Sequence, residues 1–300
     1  MICAVIDIGS NTMRMSVYKV TDGKFTILMT KKEMAGLANY ITGGQLSKQG
    51  IEEMVEVLNR FTASLEYVTV DSVHTFATAS LRNISNSEEV IAYVKRSTSI
   101  DIELLSGEEE ARLSFAGAIY DAPITDGCLF DLGGGSTEVV AFGDKFPYYV
   151  RSVNMGSLNL FREHVEKIWP KNRELEELKR FISDTVATME LPKNAAPTLI
   201  GVGGTARSLR TLINMQHDRD IMQRHITRKE FDDIVKFLMY RDRLVRDAVL
   251  RKCPDRIHTI IPGALVISEL VKRLKIENLY ISDFGIREGY LWKKIMRGTT

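Results

Sequence analysis

The chain has 300 residues, 44% hydrophobic and 26% charged, with a formal net charge of +1. That is ordinary globular composition, long enough for two domains that each bury a core, and the near-neutral balance gives no footing for a nucleic-acid partner. Cys3, Cys128 and Cys253 are odd in number and far apart, which excludes a disulfide framework and a zinc site, and no apolar run approaches the ~20 residues of a membrane span. The amino terminus has no basic n-region and meets an acid at Asp7, so a cytoplasmic protein with no membrane partner is expected.

In chain order, the apolar run Ile2-Cys-Ala-Val-Ile-Asp7 ends in the glycine turn Asp7-Ile-Gly-Ser-Asn-Thr12, and Met13–Val20 resumes with period-2 alternation. The pattern predicts a strand, a tight turn and an antiparallel strand. Ser47 stands ahead of Ile51, Met54, Val55, Leu58, Phe61 and Leu65, which fall on one face of a helix. Val68–Phe76 and Ile102–Leu105 read as further strands, and Ser106-Gly-Glu-Glu109 is a well-formed capping box for a helix that follows. Pro123 to Gly127 is a short Pro/Asp/Gly stretch suited to a domain boundary.

The opening pattern then recurs. Gly127-Cys-Leu-Phe-Asp-Leu-Gly-Gly-Gly-Ser-Thr137 leads into Glu138-Val-Val-Ala-Phe142. Asp7 and Asp131 lie 124 positions apart, too far for a solenoid and about right for one duplicated domain, so two similar halves with a cleft between them are expected. A helix from about Leu175 to Met189 follows, then a strand at Thr198–Val202 and a third glycine loop, Gly201-Val-Gly-Gly-Thr-Ala-Arg-Ser208, opening a helix. Thr227-Arg-Lys-Glu230 is a second capping box, ahead of a helix that buries Phe231, Ile234, Val235 and Leu238, and Leu279–Ser282 reads as a last strand. The mix is α/β.

The three glycines Gly133, Gly134 and Gly135 let the backbone fold tightly and turn N–H groups toward an anion, with Ser136 and Thr137 adding hydroxyl donors. Gly9, Ser10, Asn11 and Thr12 form a loop of the same kind. Asp131 and Glu138 flank the second loop as hard oxygen ligands suited to Mg²⁺, and the matching place of Asp7 in the first repeat gives it a shared metal or water role. Residues 1–130 sum to −6 and residues 131–300 to +7, which makes the carboxyl half the more plausible home for an anionic ligand. His74, His164, His217, His225 and His258 show no metal spacing and are read as structural or surface residues.

At these loops the sequence resembles the exopolyphosphatase / guanosine pentaphosphate phosphohydrolase (Ppx/GppA) family, within the sugar kinase, heat-shock chaperone and actin superfamily. Ala77-Thr-Ala-Ser-Leu-Arg82, Ile102-Glu-Leu-Leu-Ser-Gly-Glu-Glu-Glu-Ala-Arg112, Ile261-Pro-Gly-Ala264 and Ser282-Asp-Phe-Gly-Ile-Arg-Glu-Gly289 also look like family segments. The resemblance implies two actin-like (ribonuclease H-like) domains with an interdomain cleft, domain I over 1–124, domain II over 125–285, and a carboxyl-terminal helix at about 286–300 that packs back on domain I. It implies Glu109 as general base, Arg82 as phosphate ligand, and Asp131 and Glu138 as the acids that organise Mg²⁺ and water. Capping remains open as the whole role of Glu109. The substrate implied is polyphosphate, with guanosine pentaphosphate as the nearest alternative. An ATP-dependent kinase or an actin- or chaperone-like ATPase ranks lower, and a homodimer is left open.

Overall fold

The computed structural model describes residues 1–120 and 122–296. Both strand-turn-strand units form, and each sits at the centre of its own sheet. In the first, Ile2–Ile8 pairs antiparallel with Met13–Thr21, and Lys24–Glu33 extends that hairpin to the edge. On its other side Ile2–Ile8 pairs parallel with Ser72–Ala77, which pairs parallel with Glu103–Leu104. The second sheet repeats this order. Gly127–Leu132 pairs antiparallel with Thr137–Gly143, which pairs with Phe146–Val153, while Thr198–Val202 and Asn278–Ile281 follow in parallel on the other side. A short strand, His225–Thr227, is added at the far edge. The common order of five strands is what a duplicated ancestral unit leaves behind.

The register repeats as well. Asp7 pairs with Arg14 across the first hairpin, and Asp131 pairs with Glu138 across the second. Both partners stand seven residues after their Asp, one ladder position back from the pair that flanks the glycine loop.

Helices cover the sheets as the apolar periodicity requires. Lys48–Leu65 is capped by Ser47, whose side chain accepts from Gly50 N, and it buries Met54, Val57, Leu58, Phe61 and Leu65 against the first sheet. Asn172–Ala187, Gly204–Gln216, Arg228–Tyr240 and Ile260–Arg273 build the larger core around the second sheet. The strand expected from Val68 begins only at Ser72, because Val68 and Val70 pack against the first core from the connection that precedes it. The strands Lys24–Glu33 and Phe146–Val153 were not predicted. Both are edge strands without a single fully buried residue, so neither needs the apolar alternation that marks a core strand in sequence. Among the described residues no helix is long and apolar enough to cross a membrane, and all three cysteines are buried and free.

Helix Gly107–Ile119 lies against the second sheet, through Ala111, Phe115, Ala118 and Ile119. It is crossed at backbone distance by Ile286–Tyr290, which continues as a wider turn to Met296 and buries Tyr290, Leu291 and Ile295 beside Cys3, Val5, Tyr18 and Phe76. The last four residues of the expected carboxyl-terminal helix, 297–300, lie outside the described residues. At the crossing, a Cβ on Gly117 would stand 1.9 Å from the Gly285 carbonyl oxygen and one on Gly289 1.7 Å from that of Leu113. Backbone cannot yield as a flexible side chain can. Gly289→Ala is therefore expected to cost about 3 kcal/mol, seen as a fall in melting temperature, and an unchanged melting temperature would show that the two helices separate without penalty.

Candidate active site

The two repeat loops meet face to face. Each closes on itself with one backbone bond, Gly9 N donating to Thr12 O at 3.2 Å and Gly133 N to Ser136 O at 3.1 Å. A Cβ on Gly135 would stand 2.7 Å from Ser10 Oγ and 3.0 Å from the Ala79 Cβ, so only glycine lets the second loop come this close to the first. Between them runs a cleft walled by Asp7, Gly9, Ser10, Asn11 and Thr12 on one side and by Asp131, Gly133, Gly134, Gly135 and Ser136 on the other. The third loop closes it with Gly203 and Gly204, where helix Gly204–Gln216 begins. A helix start offers free N–H groups and the positive end of its dipole to an anion.

Four arginines line the same cleft: Arg14, Arg207, Arg256 and Arg287. Among the described residues, no ion pair or hydrogen bond holds the guanidinium of Arg14, Arg207 or Arg256. Burial, and then the charges of Arg287 and Arg207, push Arg14 down to about 10. Burial and Arg287 likewise lower Arg207. Cations that repel one another inside a cleft are relieved by a polyanion, and that is the electrostatic signature of a phosphate site.

Asp7, Asp131 and Glu110 line the cleft beside this positive wall, with Asp283 and Glu288, and the buried Glu138 stands outside the lining, within reach of the charges of Glu110 and Asp131. Burial raises Asp7 to about 6 against the pull of Arg287 and Arg14. Burial also raises Asp131, whose Oδ2 accepts from Ser114 Oγ. Glu138 is held well above the usual carboxylate range by burial and by the charges of Glu110 and Asp131, which hydrogen bonding from Ser136 and Ser152 only partly offsets; Ser152 Oγ donates to its Oε1 at 2.8 Å. Glu110, raised to about 7, owes the shift to burial, which the Arg82 charge and hydrogen bond only partly offset. Arg82 Nη1 donates to Glu110 Oε2 at 2.8 Å and to Leu105 O at 3.1 Å.

Four expected site residues, Glu109, Thr137, Arg82 and Glu138, are not among the residues that line the cleft, and Glu138 is buried at 1% exposure. Glu109 is exposed, and its carboxylate closes the capping box by accepting from Ser106 N at 2.9 Å and Ser106 Oγ at 2.8 Å. Those bonds hold it below the usual carboxylate range, and it borders an apolar groove with Leu113, Phe146 and Trp292 rather than the cleft. The N3 position of the helix turns back to the cap, and the next residue, about 100° further round, turns inward. That residue is Glu110, which lines the cleft. Thr137 is fully buried with its hydroxyl donated to Met155 O, so the hydroxyl donor that the second loop brings to the cleft is Ser136. Arg82 is not a cleft wall and meets the site through Glu110.

The profile of the Ppx/GppA phosphatase family matches residues 16–297. The chain belongs to this family. It is 26% identical to exopolyphosphatase 1 of Mycobacterium tuberculosis over 97% of the chain and 87% of that protein. It is 24% identical to the guanosine-5′-triphosphate,3′-diphosphate pyrophosphatase of Aeromonas salmonicida, over 96% of the chain but 58% of that longer protein. Among solved structures, the Aquifex aeolicus Ppx/GppA family member superimposes with a TM-score of 0.84 at 25% identity, covering 100% of this chain and 99% of that one. An exopolyphosphatase from Cytophaga hutchinsonii shares the fold with a TM-score of 0.88 at 22% identity, covering 99% and 98%. The actin-like architecture of two sheet-and-helix bodies around a cleft is thus the architecture of the Ppx/GppA family.

For this Ppx/GppA phosphatase, sequence reasoning missed Glu110 and the four cleft arginines in their site role. Arg14 had a signal. It holds in the first repeat the place that Glu138 holds in the second, so the duplication that singled out one singles out the other. Arg287 lies within the family segment Ser282–Gly289, and Arg207 within the third glycine loop. Nothing local in the sequence marks Arg256 as a cleft residue.

Proposed function

We propose that the protein is an exopolyphosphatase that releases terminal phosphate from inorganic polyphosphate in the cytoplasm, with its two actin-like domains dividing near residue 124. The observation that carries this reading is the cleft itself, in which two glycine loops, a helix start and four arginines face a carboxyl group poised near neutrality. The match to a protein named exopolyphosphatase, at 26% identity over 97% of the chain, supports polyphosphate, and the match to a relative named guanosine-5′-triphosphate,3′-diphosphate pyrophosphatase keeps guanosine pentaphosphate as the alternative.

In this reading the terminal phosphate lies across Gly9–Thr12 and Gly133–Ser136, held by backbone N–H groups and by the Ser10, Thr12 and Ser136 hydroxyls. Arg14, Arg207, Arg256 and Arg287 neutralise the charge of the transferring group and of the phosphates behind it. Glu110, increasingly ionised as pH rises through about 7 and steadied by Arg82, takes the proton from the attacking water, the part first expected of Glu109. The shortened chain leaves without protonation, since an internal phosphate is already a good leaving group.

Asp131 and Asp7 are the hard oxygens that the cleft offers to Mg²⁺, while Glu138 is buried and does not line it. Among the described residues no group of three metal-binding side chains comes together. The donor set therefore fits an ion that takes one or two carboxylates and fills its shell with water and phosphate oxygens, as Mg²⁺ does, and not a caged one. Bound there, it would supply charge neutralisation to the phosphate oxygens. Release of phosphate from polyphosphate is expected to require a divalent cation, and full activity in excess chelator would contradict the metal role of these acids.

A further inference from the structure

Arg287 lines the cleft with its neighbours Gly285, Ile286 and Glu288 on the carboxyl-terminal segment, and side chains of the first hairpin hold that segment. Arg287 Nη1 donates to Ser16 Oγ at 3.2 Å, on strand Met13–Thr21. Its neighbour Glu288 is 3% exposed and uses both carboxylate oxygens: Oε1 accepts from the Tyr18 hydroxyl at 2.6 Å and Oε2 from Gly285 N at 2.9 Å. Tyr18 is itself fully buried, edge-on to Phe25 with ring centroids 5.6 Å apart. One side chain of the first hairpin thus grips the turn that carries Arg287, across 270 residues of sequence.

Holding the segment in place does not require this pair. A buried carboxylate is costly even when both oxygens are bonded, and an apolar pair of similar volume would pack the same elements without that desolvation. What the pair adds is direction. The Gly285–Glu288 turn is tied at Gly285 N by one carboxylate oxygen and to the first sheet by the other, so Ile286 and Arg287 within it are held in register along the cleft. Arg287 thereby lines the cleft together with Asp7 of the first loop.

We infer that Tyr18 and Glu288 are positioning residues that aim the Arg287 guanidinium at the phosphoryl group being transferred between the two glycine loops. This rests on the phosphohydrolase reading above. The guanidinium fork meets two phosphoryl oxygens in one plane, so its value in the transition state depends on its angle as much as on its charge.

The test is a double-mutant cycle on steady-state phosphate release from polyphosphate, with melting temperatures measured alongside and rates taken per folded molecule. Tyr18→Phe keeps the ring and removes only the hydroxyl, and is expected to lower kcat roughly 10- to 100-fold, the scale of a small misplacement of a reacting group, with KM little changed. Arg287→Lys keeps the charge and loses the fork, with a similar fall. The double variant is expected to be no slower than Arg287→Lys alone, because Tyr18 acts through the group already lost. Should Tyr18→Phe fail to fold, Glu288→Gln, which keeps an acceptor for the phenol, is carried through the same cycle. Unchanged kcat in the single variant, or losses that multiply in the double one, would overturn the inference and leave the pair a packing contact. Absence of phosphate release by the wild-type enzyme would overturn both this inference and the function it rests on.

Discussion

Glu110→Gln is expected to lose roughly 10²- to 10⁴-fold in phosphate release, the range that a general base contributes. Gln keeps the size of the side chain and an oxygen for the Arg82 guanidinium, so the helix Gly107–Ile119 and its packing should survive with near-native stability. What Gln cannot do is accept a proton from water. The paired control is Glu109→Gln, where the backbone bond from Ser106 N can be kept by the Gln oxygen and no catalytic group is removed. Most activity is expected to remain there. If instead Glu109→Gln were the dead variant and Glu110→Gln the live one, the cleft would be using the exposed carboxylate and the buried one would be structural.

Arg82→Met is expected to cost at least roughly tenfold at pH 7, through the titration of Glu110, and part of that loss should be regained at higher pH. The sign follows from the pair. Burial raises Glu110, and the Arg82 charge and hydrogen bond pull it back to about 7, so removing Arg82 lets the carboxyl rise further and leaves less of it ionised at neutrality. Each pKa unit that the acid limb moves upward is a tenfold loss of ionised base below it. In the wild type, kcat/KM should climb as pH rises through about 7; in Arg82→Met the same climb should begin at higher pH. A loss of the same size at every pH would show that Arg82 serves the substrate directly and leaves Glu110 untouched. Leaving a buried carboxylate without its partner also destabilises the fold, by about 3–5 kcal/mol where the group stays charged. Melting temperatures must therefore accompany the profiles.

The skeleton of this protein was legible because its signals are local. An apolar run, an Asp and a glycine turn specify a hairpin wherever they occur, and their recurrence at Asp131 disclosed the duplication that the strand order of both sheets repeats. Ser47, Ser106 and Thr227 cap the helices that the sequence placed after them. The site was legible only where it is made of those same local units, the two loops and the third at Gly203. Glu109 and Glu110 could not be ordered from sequence, because their difference is one helical step and the capping box marks the residue that turns outward. Thr137 was misjudged for a related reason. It opens the strand Thr137–Gly143, which is buried on both faces, while Ser136 stays in the loop. Arg256 comes to the cleft through the tertiary packing of the second body, and no spacing in the chain records that.

The most direct measurement is phosphate release by the wild-type protein, with a divalent cation present, from polyphosphate, guanosine pentaphosphate and ATP in parallel. The cleft chemistry and the near full-length match to exopolyphosphatases predict release from polyphosphate as the fastest of the three, without any added acceptor. Release from guanosine pentaphosphate alone would move the substrate within the family. Transfer from ATP only when an acceptor hydroxyl is supplied, with no release from polyphosphate, would contradict the account.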